Sequence, residues 1–147
     1  MSELEDLYRE VILDHSRRPI GRGDVSTAAH THHELNPSCG DEITVGVTVT
    51  DGRLDPIVWE GQGCSISMAS ASVMTSILRG MPRAEASALI DEYRAMLRSR
   101  GGEFDPSDEL GDAAAFQGVA KYVMRVKCAM LAWVALEAAL LQEPAAG

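Results

Sequence analysis

The sequence predicts an α+β fold: an N-terminal helix, a small three-stranded antiparallel sheet, then several helices packed on it. Three observations carry this. Leu4, Leu7, Tyr8, Val11, Ile12 and His15 follow the i, i+3, i+4, i+7 spacing of one helix face. Ile43, Val45, Val47 and Val49 then alternate with Thr44, Gly46 and Thr48, the period of a half-buried strand. From Ser65 onward the strand signals stop and helical periodicity takes over, which separates the sheet from the later helices along the chain.

The first helix is expected over residues 3–16, closed by Arg17-Arg18-Pro19 and a loop starting at Gly21 and Gly23. A short strand is expected over 30–36, and a clearer one over 43–49. Asp51-Gly52 is a hairpin signal, and Leu54 to Trp59 reads as the return strand, with Pro56 marking an edge or a bulge. Ile66, Ala69, Val73 and Ile77 share a helix face that Gly80 can close, and Pro82 can open the next helix. That helix is expected over 83–99 with Ala86, Leu89, Ile90, Tyr93 and Leu97 inward, stopped by Gly101-Gly102. Residues 103–111 read as an acidic loop and 113–122 as a further helical stretch. The last helix is expected over 126–142, its stripe being Val126, Met130, Trp133, Val134, Glu137, Leu140 and Leu141. The whole of 1–147 reads as one domain, with 143–147 a frayed tail.

Composition bounds the function. Hydrophobic residues make up 46% and charged residues 24%, enough for an ordinary soluble core that must be largely aliphatic, since Phe, Trp and Tyr number only two, two and three. With 13 basic against 22 acidic residues the net charge is −9, which disfavours nucleic acid and anionic membrane as partners and favours a protein partner with a basic surface. No apolar run is long enough to span a bilayer, and the acidic start lacks the features of a secretion signal. Free cysteines without such a signal point to a reducing cytoplasm.

The chemistry lies in three cysteines. Cys39 sits in Asn36-Pro37-Ser38-Cys39-Gly40-Asp41, Cys64 in Gly61-Gln62-Gly63-Cys64-Ser65, and Cys128 in Arg125-Val126-Lys127-Cys128. An odd count cannot pair off into disulfides, whereas three thiols and the Asp41 carboxylate complete a four-ligand set for a thiophilic metal. Cys39 and Asp41 flank Gly40, so both can turn toward one ion. Cys64 lies where a glycine-rich loop hands over to a helix, and Cys128 near the start of the last helix, with Arg125 placed to share its face. Thiolate-rich sites suit zinc, copper(I) or iron–sulfur units. The hard Asp41 ligand among soft ones suggests a site that exchanges a ligand. His30, His32 and His33 read as strand histidines and His15 as a helix-boundary residue. The methionines at 68, 74, 124 and 130 and the small residues of Ser65 to Val73 read as packing.

The motifs Asn36-Pro37-x-Cys39-Gly40-Asp41, Gly61-x-Gly63-Cys64-Ser65-Ile66-Ser67-x-Ala69-Ser70 and Arg125-x-Lys127-Cys128-x-x-Leu131-x-Trp133 resemble the U-type iron–sulfur biogenesis proteins. These comprise the IscU and NifU N-terminal scaffolds and their SufU relatives. The resemblance runs from the first helix to the last. Scaffold members carry His directly before the third Cys, where this chain has Lys127, and the stretch from Cys64 to Cys128 is longer here, with the extra material expected within residues 82–112. Both features resemble the SufU branch. The resemblance implies a zinc-dependent sulfurtransferase, with Zn²⁺ on Cys39, Asp41, Cys64 and Cys128. It implies a pyridoxal-phosphate cysteine desulfurase as partner, with a His of that partner replacing Cys39 on the zinc. Cys39 then takes up sulfur as a persulfide, with Arg125 assisting, and passes it to a downstream iron–sulfur assembly scaffold. The alternative is a scaffold on which a [2Fe–2S] cluster is built on the same residues.

Overall fold

A computed structural model describes residues 3–142 with the exception of Cys39, and side chains from Asp6 onward. The side chain of the expected stripe residue Leu4 and the expected tail 143–147 therefore lie outside what is described. The elements run α1 (Glu3–Arg17), β1 (His30–Asn36), β2 (Asp41–Thr50), β3 (Arg53–Gln62), α2 (Ser65–Leu78), α3 (Arg83–Arg98), a 3₁₀ segment (Asp108–Lys121) and α4 (Val123–Leu140). This is the expected α+β architecture.

The sheet has the order β1-β2-β3, both pairs antiparallel. Its inward face follows from the alternation: Ile43, Val45 and Val47 of β2 and Leu54, Ile57 and Trp59 of β3 are buried in one core with the helices. Thr50 pairs with Arg53, leaving Asp51 and Gly52 as a two-residue loop with φ of 53° and 77°. Positive φ at both positions is the twist-matched hairpin geometry that Asp-Gly favours. A Cβ on Gly52 would meet nothing within 4 Å, so Gly52→Ala carries conformational strain alone. It should cost about 1 kcal/mol, read as a lower denaturation midpoint.

Pro56 falls where the register slips. Val47 pairs with Ile57 and Val49 with Leu54, so Thr48 faces the two residues Asp55 and Pro56, a bulge on β3. The outer edge of β3 is covered by residues 21–23: Trp59 N–H donates to the Gly21 carbonyl at 3.0 Å and Gly23 N–H to the Trp59 carbonyl at 2.8 Å. The Trp59 indole donates to the Ile20 carbonyl at 2.9 Å.

The helices match the expectations unevenly. In α3, Ala86, Leu89, Ile90, Tyr93 and Leu97 are all buried, and Pro82 occupies the N-cap position. In α1 the stripe is only half-buried and Leu7 is 59% exposed, because the helix lies on the outside of α2 and the 3₁₀ segment. His15 is more than a boundary residue. Its Nδ1 lies 2.7 Å from Ser72 Oγ and its Nε2 3.1 Å from Asp112 Oδ2, tying α1 to both neighbours. Residues 108–121 are helical, as expected over 113–122, but as 3₁₀ turns that start earlier, within the expected loop, and are broken at Gly111.

The α4 stripe also differs from expectation. The helix begins at Val123, earlier than predicted, and Leu141 is 78% exposed. Cys128, Ala129, Leu131, Ala132, Trp133, Ala135, Leu136, Ala139 and Leu140 are buried because the sheet covers one side of α4 and the helices others. Glu137, placed in the predicted apolar stripe, is instead paired with Arg94 Nη2 of α3 at 2.5 Å.

Candidate metal centre

One end of the sheet assembles the site. Asn36, the last residue of β1, pairs with Asp41, the first of β2, so the 36–41 turn closes there. Gln62 at the end of β3 pairs with Glu42, which brings the following Gly63-Cys64 beside Asp41. Cys64 is the N-cap residue of α2, at the positive end of that helix's dipole. Cys128 arrives from α4, packed against β1, β2 and α2. Because α4 starts at Val123, Cys128 lies in its second turn, deeper than expected.

The result is a compact donor set. One ligand atom each from Asp41, Cys64 and Cys128 lie within 4.8 Å of one another. Asp41 and Cys128 are buried, at 3% and 7% exposure, while Cys64 is exposed. Thus the structure brings together three of the four residues that the sequence nominated. The fourth, Cys39, lies outside the described residues; its neighbours Ser38 and Gly40 are both exposed. Two thiols and a carboxylate converging from three separate elements suit a thiophilic divalent ion, and such a set forms only on folding.

A buried carboxylate must find donors. Cys64 N–H donates to Asp41 Oδ1 at 3.1 Å, and the Ser67 hydroxyl to Asp41 Oδ2 at 2.5 Å. Ser67 Oγ is also 3.6 Å from Cys64 Sγ and 3.3 Å from the Cys128 carbonyl oxygen. Asn36 directs Nδ2 at Cys128 Sγ from 4.0 Å, while its Oδ1 accepts Ser38 N–H at 3.1 Å and shapes the turn. Neither Ser67 nor Asn36 was assigned a role from sequence. Ser67 was hidden in a run of small residues, although its position three residues after the N-cap Cys64 was a usable signal.

Beneath the site, a polar network fixes α4 to α2 and α3. Ser70 Oγ donates to the Ala129 carbonyl at 2.6 Å, Tyr93 Oη to the same oxygen at 3.0 Å, and Trp133 Nε1 to Ser70 Oγ at 2.9 Å. Burial pushes the Tyr93 phenol far above its ordinary range, so it stays a donor. Ala129 directly follows Cys128, so this network holds the backbone of a candidate ligand.

Arg125 is exposed, and its guanidinium lies over the Tyr122 ring, 5.0 Å from the centroid. Its partner in the structure is therefore an aromatic face. The histidines stand apart from the metal group: His32 pairs with Glu34 at 2.7 Å and His33 with Glu42 at 3.5 Å. Met68 and Met74 are core residues, whereas Met124 is 51% exposed. A groove of about 360 Å³ beside the 36–41 turn is lined by Leu35, Pro37, Ser38, Lys127, Met130 and Val134, among others. Among the described residues, no helix is long and apolar enough to cross a membrane.

Comparisons with known proteins give the family. Zinc-dependent sulfurtransferase SufU of Bacillus subtilis is 39% identical over 142 residues, covering 97% of this chain and 95% of that protein. Iron-sulfur cluster assembly scaffold protein IscU of Streptococcus pyogenes serotype M1 is also 39% identical, over 140 residues, covering 95% and 86%. The crystal structure of FiSufU from Fervidobacterium islandicum AW-1 superposes with a TM-score of 0.81 at 36% identity, covering 89% of this chain and 94% of that one. Residues 7–129 match the family described as NifU-like N terminal domain. The chain belongs to that family, whose relatives include both SufU and IscU proteins.

Proposed function

We propose that this chain is a zinc-dependent sulfurtransferase of iron–sulfur cluster assembly, a one-domain cytoplasmic protein that accepts sulfur on Cys39 from a pyridoxal-phosphate cysteine desulfurase. The observation that carries the reading is the convergence of Asp41, Cys64 and Cys128 within 4.8 Å, at the end of the sheet where the turn bearing Cys39 closes. The full-length similarity to a protein named as a zinc-dependent sulfurtransferase supports it.

In this reading Cys39, Asp41, Cys64 and Cys128 hold Zn²⁺. Bound zinc supplies a strong field that keeps thiols deprotonated at neutral pH. The residues of the chain do the rest. Asp41 and Cys128, both buried, serve as retained ligands, and Cys64 is anchored at the start of α2. Cys39, next to Gly40, acts as nucleophile. Its thiolate attacks the terminal sulfur of the desulfurase persulfide, a new S–S bond forms on Cys39, and the desulfurase thiolate leaves. The persulfide then passes to a downstream assembly scaffold. Arg125, exposed and three residues before Cys128, is assigned the role of meeting the anionic sulfur or the partner.

The test is alanine production by the cognate desulfurase with the zinc-loaded protein present. Stimulation should be strong with the wild type, and Cys39→Ser should return the rate to that of the desulfurase alone while retaining most of its zinc. Full stimulation by Cys39→Ser would overturn the assignment. The second reading, a [2Fe–2S] scaffold, is favoured by the equal identity to an IscU protein. Anaerobic reconstitution with iron and sulfide separates them: a scaffold develops stable visible absorption, and a zinc sulfurtransferase does not.

A further inference from the structure

We propose that Ser67 is a positioning residue that locks the Asp41 carboxylate as a permanent metal ligand. The inference rests on the zinc reading above and adds a residue to it.

Ser67 is buried, at 1% exposure, with three acceptors around a hydroxyl that has one proton to give. The Asp41 carboxylate is the strongest of the three, and its Oδ2 is the nearest at 2.5 Å. The other oxygen, Oδ1, is held by Cys64 N–H at 3.1 Å. Both donors belong to the start of α2, the same turn that presents the Cys64 thiol. The carboxylate therefore cannot rotate without losing two hydrogen bonds in a buried place. Each oxygen keeps a lone pair for an ion, and the orientation of that pair is fixed relative to Cys64 Sγ. A ligand held in this way is a poor leaving ligand, so exchange falls to a member of the set outside this clamp.

A hydroxyl that merely satisfied helix packing would act differently. Its loss would lower stability equally with and without metal, and would leave metal affinity alone. Outer partners of metal ligands typically change affinity by about 10- to 100-fold when removed.

The experiment is zinc competition against a chromophoric chelator, with wild type, Ser67→Ala, Asp41→Ala and the double variant, and with the melting temperature of each metal-free protein measured alongside. Zinc affinity should fall about 10- to 100-fold in Ser67→Ala. In the Asp41→Ala background the same change should have little further effect, because Ser67 acts through Asp41. Wild-type affinity in Ser67→Ala, or an equal loss in both backgrounds, overturns the inference while the zinc site stands. A wild-type protein that takes up no zinc overturns the metal reading itself, and the inference with it.

Discussion

Trp133→Ala should cost about 3–5 kcal/mol of stability, a large share of the about 5–15 kcal/mol that a domain commonly has. The indole is fully buried and stacks on Tyr93, ring centroids 3.9 Å apart and 12° from parallel. Tyr93 meets Phe116 edge-on at 6.1 Å. Truncation thus opens a cavity at the junction of α3, α4 and the 3₁₀ segment, and removes an aromatic pair worth about 1 kcal/mol beyond its area. It also takes the indole donor from Ser70 Oγ, loosening the network that fixes the Ala129 carbonyl. Urea denaturation of the metal-free protein measures the loss. Trp133→Phe, which keeps most of the volume and the stacking, should cost clearly less. If the two variants were equally destabilised, the indole hydrogen bond rather than the cavity would be the main contribution.

What the sequence revealed follows from how many sides of each element are covered. The β2–β3 hairpin was legible because one face is buried: Ile43, Val45 and Val47 alternate cleanly, and Asp51-Gly52 names its own turn. Helix α3 was legible for the same reason, with a single apolar face. Helix α4 was not. The sheet and three helical segments surround it, so small Ala residues at 129, 132, 135 and 139 are as buried as Trp133, and no single stripe exists to be found. The helical stretch over 113–122 was legible, but its 3₁₀ character and its start at Asp108, ahead of the break at Gly111 (φ 51°, ψ −129°), were not. Leu7 misled in the opposite sense, an apolar side chain on the expected inward stripe that faces solvent.

The site divides in the same way. Metal-ligand chemistry is restricted to a few residue types, so Asp41, Cys64 and Cys128 could be nominated before any geometry. Ser67 and Asn36 were not, since a serine or asparagine gains its role from what lies across the fold, 26 residues away for Ser67 and Asp41 and 92 for Asn36 and Cys128, and only the position of Ser67 after Cys64 gave a local signal. Arg125 shows the limit of spacing arguments. Its sequence position, three residues before Cys128, did not reveal that its guanidinium lies over the Tyr122 ring.

Gly63→Ala should lower zinc affinity at least tenfold, on the scale of disturbing a metal ligand's support, and leave the fold intact. A Cβ at Gly63 would fall 2.6 Å from Asp41 Cγ and 2.7 Å from its Oδ1. Carbon cannot approach a carboxylate so closely, and the carboxylate has nowhere easy to go, being held by Cys64 N–H on one oxygen and the Ser67 hydroxyl on the other. Either Asp41 swings out and gives up both bonds, or the 63–64 backbone retreats and carries Cys64 away from the donor set. Both responses separate ligands that now lie within 4.8 Å. The fold does not depend on this contact, because Gly63 is exposed, between the end of β3 and the start of α2. Chelator competition measures the affinity, and the melting temperature of the metal-free variant reports the fold. Gly52→Ala supplies the opposite pattern, a small stability loss with unchanged zinc affinity, since its hairpin loop lies at the other end of β2 and β3 from Asp41 and Gln62. If Gly63→Ala bound zinc as tightly as the wild type, the carboxylate would be shown free to move, and Asp41 could not be counted among the retained ligands.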